Sequence, residues 1–188
     1  MMQSKFTLMV VVFLFAVFFT GCGGSGGKAT ISPGNVYKTK NGIDKKDIQV
    51  AVREHNRVRA DVGVGNLTWS DEIGRYAQAW ADHLAATTCQ MKHRPREGKW
   101  KQRFGENLFI GTAGFYSVRE AVQSWENEKT DYSYGTFTGK SRKPIGHYTQ
   151  IIWKNSTKVG CGQALCNGNL IVACNYDPPG NYIGQKPY

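Results

Sequence analysis

Along residues 44–176 the apolar positions follow two rhythms, and the change of rhythm divides the chain into elements. Asp44 caps a helix running to about Val62, with Ile48, Val52 and His55 at helical spacing. His55 reads there as a hydrogen-bonded structural residue. Gly63 and Gly65 stop the helix. After the short connection Asn66-Leu67-Thr68-Trp69, Ser70 caps a second helix, whose Asp71 and Glu72 complement the helix dipole. Ile73, Tyr76, Ala77, Trp80, Ala81 and Leu84 form one apolar stripe, the pattern of a packed core rather than a cofactor site. His83 falls off that stripe, in solvent. Ser117-Val118-Arg119-Glu120 is a capping box opening a third helix, with Val118, Ala121, Val122 and Trp125 inward.

The second rhythm has a period of two. His147, Thr149, Ile151 and Trp153 alternate with Tyr148, Gln150 and Ile152, which predicts a β-strand over 147–153 with cover on both faces. Val159 to Cys166 and Leu170 to Tyr176 alternate too, and Asn167-Gly168-Asn169 between them predicts a hairpin. Residues 28–43 have no apolar period and read as linker. Arg94, Arg96, Lys99, Lys101 and Arg103 mark an irregular, exposed basic loop.

With 188 residues, 40% of them hydrophobic, the chain can bury the core of one ordinary domain beside a short extra segment. Its net charge of +10 keeps a surface soluble and favours anionic partners, lipid head groups and envelope polymers among them. No zinc-finger spacing, recognition-helix pattern or aromatic RNA-binding strand is present, so no specific nucleic-acid partner is expected.

The N-terminus changes the picture. Lys5 precedes an almost wholly apolar run from Phe6 to Phe19, short for a membrane span but right for the core of a signal peptide. Thr20-Gly21-Cys22 and the Gly/Ser tether after it resemble a bacterial lipoprotein signal. That resemblance implies removal of residues 1–21 and a lipidated Cys22 at the new N-terminus, anchored to a bacterial membrane or cell surface by several acyl chains. The alternative is an ordinary cleaved signal and a soluble secreted protein. Either way residues 22–43 form the tether and linker, and the domain occupies 44–188.

Gly146-His147-Tyr148-Thr149-Gln150-Ile151-Ile152-Trp153 and Cys174-Asn175-Tyr176-Asp177-Pro178-Pro179-Gly180-Asn181 resemble the two signature motifs of the CAP superfamily. That superfamily comprises cysteine-rich secretory proteins, antigen 5 and pathogenesis-related proteins. His55-Asn56-Arg57-Val58-Arg59, the Cys89 to His93 spacing and Gly105-Glu106-Asn107-Leu108 extend the resemblance, which spans residues 44–188 and is closest to the plant branch. It implies an α+β fold, a three-layer α-β-α sandwich with a mixed, mainly antiparallel sheet between helices, in a monomer. It also implies a cleft tetrad of His93, Glu106, Glu128 and His147, with the basic loop on its rim. Helical geometry barely separates Glu126 from Glu128; the resemblance selects Glu128. The usual Ser after the first His is Arg94 here, and Ile145 stands where the family has a cysteine of a third disulfide, so a looser 129–145 segment is expected.

Four cysteines in an exported domain permit three pairings. The hairpin suggests Cys161 with Cys174, leaving Cys89 with Cys166, and the resemblance implies the same two bonds; Cys22 is then without a partner.

Two imidazoles, His93 and His147, can supply two nitrogens to a weakly bound Zn or other divalent metal, with the carboxylates orienting the rings. No His-Glu-x-x-His helix or Gly-x-Ser-x-Gly elbow is present. Three functions are consistent with this set. The first is a lipid-anchored binding module for a metal, lipid or sterol. The second is a hydrolase using the His and Glu side chains with a metal. The third is an envelope interaction protein whose basic face meets polyanions.

Overall fold

The anticipated hairpin is the centre of the computed structural model, which describes residues 43–188. β3 (Lys158–Cys166) and β4 (Asn169–Asp177) pair antiparallel, with Cys166 opposite Asn169 and only Asn167 and Gly168 in the turn. Both turn residues have positive φ, as a tight two-residue hairpin connection requires. β2 (Gly105–Thr112) pairs antiparallel with the other edge of β4, and the two-residue β1 (Thr68–Trp69) pairs parallel with β3. The order β1-β3-β4-β2 makes a mixed, mainly antiparallel sheet.

Helices cover both faces. α2 (Asp71–Thr87) lies on one, where Ala77, Trp80, Ala81 and Leu84 meet Leu108, Ala164, Ile171 and Ala173. α1 (Lys45–Ala60), α3 (Val118–Glu126) and α4 (Gly146–Ile151) lie on the other, over Val159, Leu170, Val172 and Tyr176. Because both faces are covered, β4 is buried continuously from Leu170 to Tyr176. α2 approaches β3 so closely that a Cβ on Gly160 would fall 2.2 Å from Gly74 N, and one on Gly162 2.3 Å from Gln78 Cα. The α-β-α sandwich is as expected.

Local sequence chemistry accounts for the helix starts. Asp44 accepts from Asp47 N–H at 2.8 Å, Ser70 from Ile73 N–H, and Ser117 with Glu120 forms the reciprocal capping box. The disulfides are Cys89–Cys166, tying the end of α2 to the hairpin, and Cys161–Cys174 across β3 and β4.

Three expectations are corrected. Residues 147–153 are not a strand: Gly146–Ile151 is helical. Every residue from Tyr148 to Trp153 is buried, polar Thr149 and Gln150 included, so no exposed face marks the period that distinguishes helix from strand. His83 is not free in solvent; its ring stacks between Trp80 and Trp100, with centroids 4.9 and 4.6 Å away. Arg94 is not an exposed loop cation but a buried one, 5% accessible.

The 129–145 segment is tied to the C-terminus. Phe137 N–H donates to Gln185 O at 2.7 Å, Gly184 N–H to Phe137 O at 2.9 Å, and Tyr134 Oη to Tyr188 O at 2.7 Å. The proposed signal peptide, Cys22 and the linker lie outside the described residues. No helix among the described residues is long and apolar enough to cross a membrane.

Candidate functional site

The tetrad residues form two histidine–carboxylate pairs. His93, in the loop after α2, donates from Nδ1 to Glu106 Oε1 at 2.8 Å. His147, at the start of α4, donates from Nδ1 to Glu128 Oε1 at 2.6 Å. With Nδ1 committed in both rings, Nε2 carries the lone pair available to a ligand. The two pairs meet at consecutive residues of β2, since Glu106 holds His93 and Asn107 Nδ2 donates to His147 O at 3.0 Å.

Each carboxylate is fixed from more than one side. Glu106 Oε1 also accepts from Arg94 N–H at 3.0 Å, and Asn175 Nδ2 reaches Oε2 at 3.4 Å. Glu128 Oε2 accepts from the backbone N–H of His147 at 2.9 Å and of Tyr148 at 3.1 Å. Glu128 therefore caps α4 from a distant element while its other oxygen orients His147. That double role distinguishes it from Glu126, which pairs with Arg57 and Lys129 instead. The hydrogen bond from Arg57 holds the Glu126 carboxyl below its ordinary range. The imidazoles remain reachable: 56% of the His93 side chain and 29% of His147 are accessible, while the Glu106 side chain is fully covered.

Behind this pair of sites lies a buried scaffold. His55 donates from Nδ1 to Ala51 O at 2.7 Å, and its Nε2 accepts from Tyr176 Oη at 2.8 Å. Asn107 Nδ2 bonds the same hydroxyl at 3.1 Å, linking the scaffold to the His147 carbonyl. Burial pushes the His55 imidazole down to about 4, so the ring is neutral, and it raises Tyr176. His55 is the structural residue expected of it. Arg59 lies fully inside and donates to the carbonyls of Gly65, Ile151, Trp153 and Ser156, fixing the exit of α4.

Sequence alone gives Asn107 and Asn175 no role in the site, and Arg94 only that of an exposed cation on the rim loop. Arg94 packs its guanidinium 3.7 Å from the Tyr76 ring centroid and donates to Tyr76 O, with Nε 3.7 Å from Glu106 Oε2. Burial lowers its pKa, against the opposing pull of Tyr76 and Glu106. The available sequence clue was Tyr76, an aromatic ring at the margin of the α2 stripe facing a Cys-x-x-x-His-Arg loop.

The donor set does not form a ready-made metal cage. Among the described residues no group of three or more His, Cys, Asp or Glu side chains is arranged to hold a metal. What the geometry offers is two imidazoles, each oriented by its own carboxylate.

Comparisons with known proteins agree with this architecture. Residues 52–176 match the model of the cysteine-rich secretory protein family, CAP. The chain is 47% identical over 135 residues to pathogenesis-related protein 1C of Nicotiana tabacum, covering 71% of this chain and 76% of that protein. It is 41% identical over 138 residues to pathogenesis-related protein 1 of Arabidopsis thaliana, covering 73% and 80%. Among solved structures, NaASP2 with Zn2+ superposes with a TM-score of 0.68 at 24% identity, over 79% of this chain and 88% of that one.

Proposed function

On the premise that this chain belongs to the cysteine-rich secretory protein family, we propose that it is an exported binding module whose His93 and His147 imidazoles take a divalent cation. The observation that carries this reading is the pairing of both Nδ1 atoms with carboxylates, at 2.8 and 2.6 Å. A carboxylate behind an imidazole fixes the tautomer, orients Nε2 outward and raises its basicity as a ligand. A bound ion would supply Lewis acidity to an oxygen-bearing ligand. The protein's part is to hold two nitrogens in place: Glu106 is locked by Arg94 and Asn175, and Glu128 by the start of α4. Two protein ligands make an exchangeable site, not a structural one.

The residue after His93 is a buried cation rather than a hydroxyl, which favours binding over nucleophilic chemistry at this position. Attachment of the module to a membrane by a lipidated Cys22, and a lipid or sterol as a further ligand, belong to the same proposal. The described disulfides use the other four cysteines and suit an oxidising compartment.

Calorimetric titration of zinc into the purified exported protein near neutral pH tests the cation site. Micromolar binding is expected, abolished in His93→Ala and in His147→Ala. Glu128→Gln should weaken it roughly 10–100-fold, as loss of an orienting partner does. Glu126→Gln, which touches neither histidine, should leave it unchanged. Equal losses in the two glutamate variants, or no heat from the folded wild type, would sink the proposal.

A further inference from the structure

The loop that carries His93 has a second face. Lys92, Arg96, Lys99, Lys101 and Arg103 are all exposed there, with Glu97 the one acid among residues 92–103. None of these five cations forms a salt bridge among the described residues. By contrast Arg53, Arg57, Arg119, Lys129 and Lys143, on α1 and around α3, are each paired with a carboxylate. Other described lysines, such as Lys140, Lys154 and Lys158, are unpaired too, but on this loop five unpaired cations fall within twelve residues.

The loop is also held in one shape, although it has no regular secondary structure. Arg94 pins it from beneath, through Tyr76 and Glu106. Tyr76 Oη donates to Lys101 O at 2.9 Å and accepts from Arg103 N–H at 3.0 Å. Gln102 N–H closes the loop on Pro95 O at 2.8 Å, Lys101 N–H on Gly98 O at 3.1 Å, and Trp80 Nε1 on Lys92 O at 2.9 Å. Lys99 and Arg103 lie over the rings of Trp100 and Tyr76, at 5.5 and 5.0 Å from the centroids. Cations set out on a fixed loop lose little entropy when they meet a complementary charge.

We propose that residues 92–103 form a docking surface for a linear anionic polysaccharide. Unpaired Lys and Arg supply the complementary charge, and the arginine forks suit anionic oxygens in particular. A polymer is favoured over a bilayer because five cations are spread along this loop while one large exposed apolar side chain, Met91, adjoins it and none falls within 92–103. Attachment to a bilayer surface is strengthened by apolar side chains entering the head-group region, which this loop supplies sparingly. The surface does not depend on a metal at His93 and His147.

The test is binding of the exported protein to immobilised alginate, with neutral dextran as the blank, across a salt series. Affinity should fall steadily with salt as the charges are screened. Arg96→Ala/Lys99→Ala/Lys101→Ala should lose at least about tenfold, and Lys140→Ala/Lys154→Ala/Lys158→Ala, the same charge removed elsewhere, less than about twofold. Tyr76→Phe keeps every cation but releases the Lys101 and Arg103 backbone, and should lose severalfold. Binding should be unchanged by EDTA, which separates this surface from the cation site. Equal losses in the two triple variants would mean that net charge alone is sensed, and would overturn the proposal. So would a preference for phosphatidylglycerol vesicles over alginate at equal charge concentration. Unchanged melting temperatures in the triple variants exclude misfolding as the cause of any loss.

Discussion

His55 shows how one residue joins stability to the site. It sits at 0% exposure, bonded at both nitrogens, and Tyr176 and Asn107 pass its position on to the His147 carbonyl. Its folded value of about 4 lies below the ordinary 6.5. Between those values the unfolded chain therefore binds the extra proton, and stability must rise with pH. The His55 contribution is complete above about 6.5 and is lost as pH falls towards 4, a change on the order of 3 kcal/mol. Denaturant titrations at pH 4 and 6.5 should show this loss in wild type, and a correspondingly smaller one in His55→Asn. The raised carboxyl of Asp47, caused by burial, acts in the opposite direction but is common to both proteins. An identical pH dependence in the two would refute the assignment. The role of His55 was readable from helical spacing; its partner Tyr176, 121 residues away, was not.

At the level of elements, packing of α2 on β3 depends on the absence of side chains at two strand positions. Gly162→Ala would place a methyl against the Gln78 backbone, which cannot yield as a flexible side chain would. A cost of about 1–3 kcal/mol is expected from such overpacking, read as a lowered melting temperature. Gly65→Ala, whose Cβ meets nothing within 4 Å, is the control and should be nearly neutral. A Gly162→Ala protein as stable as that control would show that α2 shifts freely. The helix caps, the α2 stripe and the β3–β4 hairpin were legible because their determinants are neighbours in sequence. α4 was not. N–H groups of its first turn are capped by Glu128 and the carbonyl of its last residue, Ile151, is taken by Arg59, so groups that hold it as a helix belong to other elements.

For the molecule as a whole, the disulfides stabilise unequally. Cys89–Cys166 closes 77 residues and Cys161–Cys174 only 13, within a hairpin that already pairs. In the chain-entropy picture these are worth roughly 4.5 and roughly 3 kcal/mol. Cys89→Ala/Cys166→Ala should accordingly lower the denaturation midpoint further than Cys161→Ala/Cys174→Ala, and the reverse order would contradict that picture. The sequence by itself determined three helices with their caps and the hairpin, which rest on local periodicity, while the layered sandwich and the four tetrad residues were legible only through motifs shared with a known family. Tertiary structure alone decided which nitrogen of each histidine is free, and that Arg94 is buried beneath the loop rather than exposed on it. It also decided that residues 146–151 coil. Those outcomes depend on hydrogen-bond partners and burial contributed by segments distant along the chain, and a spacing rule contains no information about such partners.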